Sequence, residues 1–92
     1  MALAIRFTPP SMTAEQYDEV IRRLKTAGAG APAGRRSHVC FGTGASMQVL
    51  DVWDSQDTFN AFGQTLMPIL QEVGVDPGQP EIAEVHSSIA GG

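Results

Sequence analysis

Ninety-two residues are enough for one domain over residues 1–92 and one modest core, and too few for two domains. The composition, 42% hydrophobic and 17% charged, is that of a globular chain and excludes wholesale disorder. Six Lys and Arg against ten Asp and Glu leave a formal charge of −4, with no basic surplus to neutralise phosphates. Nucleic acid and anionic membranes are therefore not expected as partners.

The chain opens on a strand. Leu3, Ile5 and Phe7 alternate onto one face of residues 2–8, and Pro9-Pro10 stops the run. Arg6 interrupts this run, which has neither the apolar core nor the cleavage site of a signal peptide. Thr13 then opens a helix through a capping box with Gln16. Tyr17, Val20, Ile21 and Leu24 form its apolar stripe. Asp18→Arg22 and Glu19→Arg23 are expected ion pairs one turn apart, and Gly28 is the expected stop.

Residues 28–34 are small and uncharged, a linker without the Gly-Lys-Ser/Thr end of a phosphate loop. Two strand-like runs follow, residues 36–41 and 47–54, separated by Gly42-Thr43-Gly44-Ala45, and they form a hairpin. Asp54 or Ser55 caps a second helix with the stripe Phe59, Phe62, Leu66, Ile69, Leu70 and Val73. Pro68 is expected to kink it and Gly74 to end it. A last strand is expected over residues 81–89. No apolar run approaches the roughly 20 residues of a membrane helix, and the expected location is cytoplasmic.

The order β-α-β-β-α-β predicts a ferredoxin-like sandwich, an α+β fold with a four-stranded antiparallel sheet and both helices on one face. In the third strand Met47, Val49 and Trp53 point one way, and Leu50 and Val52 the other, so both faces are apolar. Two helices cover only one of them. A second copy on the open face makes a homodimer the expected assembly.

The element order, the length and the segment Val52-Trp53-Asp54-Ser55-Gln56-Asp57-Thr58-Phe59-Asn60-Ala61-Phe62 resemble the dimeric α/β-barrel superfamily. The subgroup they look most like is the small antibiotic-biosynthesis-monooxygenase-like proteins. The resemblance implies two sheets packed face to face into a barrel, helices outside, and a pocket between sheet and helices. It does not fix a reaction. The superfamily includes cofactor-free oxygenases, haem-handling enzymes, isomerases and proteins without known activity. Several members carry a His in the second helix, where this chain has Asn60-Ala61-Phe62-Gly63-Gln64. That departure argues against haem, and no cofactor is expected.

Candidate site residues follow from the strands. Asp51 lies between apolar neighbours, so it needs a donor or has to keep its proton. A hairpin turning about Gly44-Ala45 sets His38 opposite Asp51 and Cys40 opposite Val49, whereas a slip by one residue sets His38 opposite Leu50. In the first register Asp51 would orient His38 as a general base. The same pair could equally be a structural hydrogen bond. His86, in the last strand, is a further candidate, with Arg6 in range of it or of Glu84. His38, His86 and Asp51 as an iron triad are too dispersed, and no metal is expected. Trp53 and Tyr17 would wall a pocket for a flat apolar ligand, although both also suit plain core packing. Cys40 is the lone cysteine, which excludes a disulfide framework and a multi-cysteine zinc site, and it lacks an activating neighbour. The expected function is handling of a small apolar or aromatic compound, as a cofactor-free monooxygenase-like enzyme. The alternative is a non-catalytic ligand-binding or structural dimer.

Overall fold

The computed structural model describes residues 2–89. Its elements are β1 (Leu3–Phe7), α1 (Ala14–Thr26), β2 (Arg35–Phe41), β3 (Gln48–Trp53), α2 (Gln56–Val73) and β4 (Glu81–Glu84). The strands form one antiparallel sheet in the order β2-β3-β1-β4, so each strand–helix–strand unit skips over a neighbour, as in the ferredoxin-like sandwich. The sheet is not closed into a barrel, contrary to what the resemblance implies. Four strands leave β2 and β4 as free edges, and closure around a filled interior takes about eight.

Local signals account for the helix ends. Thr13 Oγ1 accepts from the Gln16 amide at 3.1 Å, and Gln16 Oε1 accepts from the Thr13 amide at 2.9 Å, completing the capping box. Ser55 caps α2 by accepting from the Thr58 amide at 3.2 Å. Gly74 ends it at φ 85°, its N–H returning to the carbonyl of Leu70. Pro68 does not break α2, which continues to Val73. Its missing N–H leaves the Gln64 carbonyl without a helical donor, on an exposed stretch. Asp18 does not pair with Arg22. Arg22 and Arg23 both turn to Glu19, and Arg23 also reaches Glu72 on α2 at 2.9 Å, joining the helices. The last strand is shorter than expected. It ends at Glu84 because β1 ends there, with Leu3 opposite Glu84, and only one more bond follows, from the Val85 amide to the Ala2 carbonyl.

The hairpin takes the first of the two registers, with His38 opposite Asp51 and Cys40 opposite Val49. Along β3 exposure alternates: Val49, Asp51 and Trp53 are buried beneath the helices, and Gln48, Leu50 and Val52 are half-buried on the outer face. Ile5 and Trp53 are fully buried, and Val20, Leu24, Phe62 and Leu70 close the core over them. The ring of Trp53 meets Phe59 edge-on at 5.6 Å and Phe62 at 5.3 Å. On the outer face Val39 and Phe41 are 53% and 39% exposed. No helix among the described residues is long and apolar enough to cross a membrane.

Candidate functional site

Three inward positions and one helix position converge. Asp51 is only 3% exposed and is the one buried charged side chain among the described residues. Its two oxygens are used separately. Oδ1 lies 2.5 Å from His38 Nδ1, and Oδ2 accepts from the indole Nε1 of Trp53 at 3.3 Å. A carboxylate only accepts, so the Nδ1–H of His38 donates to it, and in the neutral imidazole Nε2 is then an acceptor. Tyr17, one turn into α1, places its hydroxyl 2.6 Å from that Nε2 and donates to it. The two rings are nearly parallel, with centroids 5.9 Å apart. The result is a directional chain, Tyr17 O–H to His38 to Asp51, braced by Trp53. No buried side-chain nitrogen or oxygen among the described residues lacks a partner.

The chain opens onto a half-enclosed cavity of about 60 Å³ between α1, α2 and the sheet, which Tyr17, His38 and Asp51 line with Phe7, Val20 and Phe62. Two loop ties shape its far wall. Met12 is held against the hairpin turn by its amide on the Ala45 carbonyl at 2.9 Å, and Val75 is held by its amide on Leu70 at 2.9 Å. Both side chains are buried at the cavity. Burial raises the pKa of Tyr17 above its ordinary 10.0, with Cys40 and Asp51 adding to the rise and Arg35 opposing it. The hydroxyl thus stays a neutral donor. Burial likewise pushes the Cys40 thiol up, so it is not a reactive thiolate.

His38, Asp51 and Tyr17 are therefore brought together. Trp53 is not on the cavity wall but beneath it, as a donor to Asp51. His86 is not part of the constellation. It lies exposed beyond β4, and Arg6 faces Glu81 rather than Glu84 or His86. No three His, Cys, Asp or Glu side chains converge on a metal-sized site among the described residues.

Sequence reasoning missed two features. The hydroxyl of Tyr17 had a signal, because a phenol on a helix stripe needs a partner across the interface. Arg35 had none. Counting back from His38 in strict alternation puts residue 35 outside, but a β-bulge between Arg35 and Ser37 sets Arg35 opposite Trp53, on the inner face. Its guanidinium lies 5.8 Å over the Phe62 ring.

No protein-family model matches this sequence, and no curated protein matches it by sequence. Solved structures do match its fold. SnoaB from Streptomyces nogalater, described as a cofactor-independent oxygenase, is 15% identical with a TM-score of 0.62, over 96% of this chain and 94% of that one. Rv0793 from Mycobacterium tuberculosis is 14% identical with a TM-score of 0.64, over 97% of each chain. A putative antibiotic biosynthesis monooxygenase from Deinococcus radiodurans is 12% identical with a TM-score of 0.62, over 98% and 97%. The likeness of this chain to these solved structures is one of fold.

Proposed function

We propose that the cavity beneath α1 is the active site of a cofactor-independent oxygenase acting on a small activated phenol or enol. The observation that carries this is the Tyr17–His38–Asp51 chain on the wall of a cavity that is otherwise apolar but for Arg35. A substrate hydroxyl against Tyr17 Oη gives its proton to that oxygen as the Tyr17 proton passes to His38 Nε2. Asp51 then holds the imidazolium. The substrate anion is the electron donor to dioxygen: one oxygen atom enters the ring carbon, the other leaves as water, and the ring is oxidised to a quinone. A naphthol plus dioxygen gives a naphthoquinone plus water, so no outside reductant is needed. The protein's part is to deprotonate and to exclude water. A positioned acid–base chain is worth roughly 10²–10⁴ in rate.

The test is oxygen uptake with naphthols and other phenols of one or two rings. One dioxygen should be consumed per quinone formed, with label from isotopic oxygen in the product. Tyr17→Phe and His38→Gln should each lower the rate at least about a hundredfold. Uptake that either variant leaves unchanged, or no uptake across the class, refutes the proposal.

A second copy is the cover we propose for the outer sheet face. Val39 and Phe41 are exposed there beside the half-buried Leu50 and Val52, and a two-fold axis lets such a patch pack on itself. Val52→Asp should shift the solution mass toward 9.8 kDa, and a wild-type mass already at that value removes the proposal.

A further inference from the structure

Arg35 is the only cation around the cavity, among the described residues, and its placement is deliberate in the geometry of the strand. The bulge at Arg36 reverses the alternation of β2 and turns Arg35 inward beside His38, while Arg36 goes out to an exposed ion pair with Asp54. The strand start is fixed. Gly34, at φ 88°, sits so close to α2 that a Cβ would fall 2.5 Å from that of Thr58, and the Gly34 carbonyl accepts from the Asp54 amide at 2.7 Å. Among the described residues no carboxylate lies within ion-pairing distance of Arg35. The guanidinium makes one hydrogen bond among the described residues, from Nη2 to the Gly30 carbonyl at 3.3 Å, which leaves four of its five N–H donors unused. Arg35 and His38 also border a second, outer groove with Pro32, Ser37 and Arg36, whose guanidinium is already paired with Asp54, so Arg35 and His38 stand between the cavity and the surface.

We propose that Arg35 is the anion anchor of the cavity, and that its ligand is a compound with a flat apolar body and one planar oxyanion, of the aromatic-carboxylate or phenolate type. The apolar body lies among the side chains under α1, and the oxyanion meets the guanidinium at the mouth. Asp51 does not pair with Arg35, because its two oxygens are taken up by His38 and Trp53, which leaves the guanidinium donors free for the ligand. The chain as a whole carries −4, so its general field repels anions, and any preference for them has to be local. The lowering influence of Arg35 on the Tyr17 hydroxyl is in keeping with a guanidinium whose field reaches the cavity. The proposal rests on the cavity being a ligand site, as in the function proposed above, but not on proton transfer there.

The test compares benzoate with benzamide, the same shape with and without charge, by chemical-shift titration followed at the Tyr17 ring and the His38 imidazole. Benzoate should bind at least about tenfold more tightly. Arg35→Met, which keeps an apolar stem over Phe62, should remove that preference by weakening benzoate alone. Arg36→Met should leave it intact. Equal binding of the two probes, no binding of benzoate, or a preference that survives Arg35→Met overturns the proposal. The wild-type comparison stands if the variant does not fold. If benzoate binds through Arg35 and no phenol is oxygenated, the anchor stands and the oxygenase function falls. Oxygenation without any preference for the anion gives the reverse.

Discussion

Removing the charge of Asp51 and removing its partner should have unequal costs. In Asp51→Asn the amide oxygen can still accept from Trp53 Nε1, while the NH₂ faces His38 Nδ1. The imidazole then has to move its proton to Nε2 and donate to Tyr17, whose hydroxyl must find a new acceptor in the cavity. The new amide, His38 and Trp53 stay hydrogen-bonded to one another, but the charge-assisted bond and the acceptor of the Tyr17 O–H are gone, a loss of about 1–3 kcal/mol. His38→Ala leaves a carboxylate that is 3% exposed with only the 3.3 Å bond from Trp53, and breaking a buried pair in this way costs about 3–5 kcal/mol. That is a large share of the roughly 5–15 kcal/mol that holds a domain together. His38→Gln, which can still donate to Asp51, should fall between. The assay is urea unfolding followed by the fluorescence of Trp53, the only tryptophan, which lies fully buried against the site. In thermal unfolding each kcal/mol should appear as about 4–8 °C. The double variant His38→Ala/Asp51→Asn should be more stable than His38→Ala alone, because the stranded charge is gone. If His38→Ala costs less than Asp51→Asn, or if the double variant is the least stable, the two side chains are not the coupled pair described here.

Two further predictions concern pH. Tyr17 is the only tyrosine, so tyrosinate absorbance reports it alone. Its midpoint should lie above 10.0 in the folded protein, with stability falling as pH rises past that value, because the unfolded chain gives up the proton first. A midpoint at or below 10.0 contradicts the buried placement. Glu19 is held down from 4.5 to about 2 by its hydrogen bonds to Arg22 and Arg23. Its contribution is therefore complete above about 4.5 and lost as pH falls to about 2, so the stability difference between wild type and Glu19→Gln should vanish over that interval. A difference that persists at its low end argues against these pairs.

Much of the fold was legible because each element carries its own punctuation. Thr13 with Gln16, Ser55, Gly74 and the paired prolines mark ends that hydrogen bonding in the structure then uses. The hairpin register followed from a count across Gly44-Ala45, and that count alone brought His38 to Asp51. What stayed hidden depends on tertiary geometry. The end of β4 is set by the length of β1 and not by any residue near Glu84. The role of Trp53 turns on whether its N–H points to Asp51 or its face to the cavity, which side-chain type does not decide. Arg35 is the sharpest case, because one extra residue in β2 exchanges inside for outside, and nothing in Arg35-Arg36-Ser37 announces where it falls. The closed barrel implied by the resemblance concerned how sheets associate, which lies beyond what one strand order determines.

The direction of the chain from Tyr17 to Asp51 decides whether the cavity meets an oxygen able to take a proton. The tautomer of His38 reports that direction, and long-range proton–nitrogen correlation of the imidazole reads it directly, with the exposed His86 as an internal reference. The geometry predicts a protonated Nδ1 in a strong bond to Asp51 and an unprotonated Nε2 accepting from Tyr17, a pattern that Tyr17→Phe should perturb at Nε2. A neutral His38 with its proton on Nε2, or two ring nitrogens unaffected by Tyr17→Phe, would contradict it.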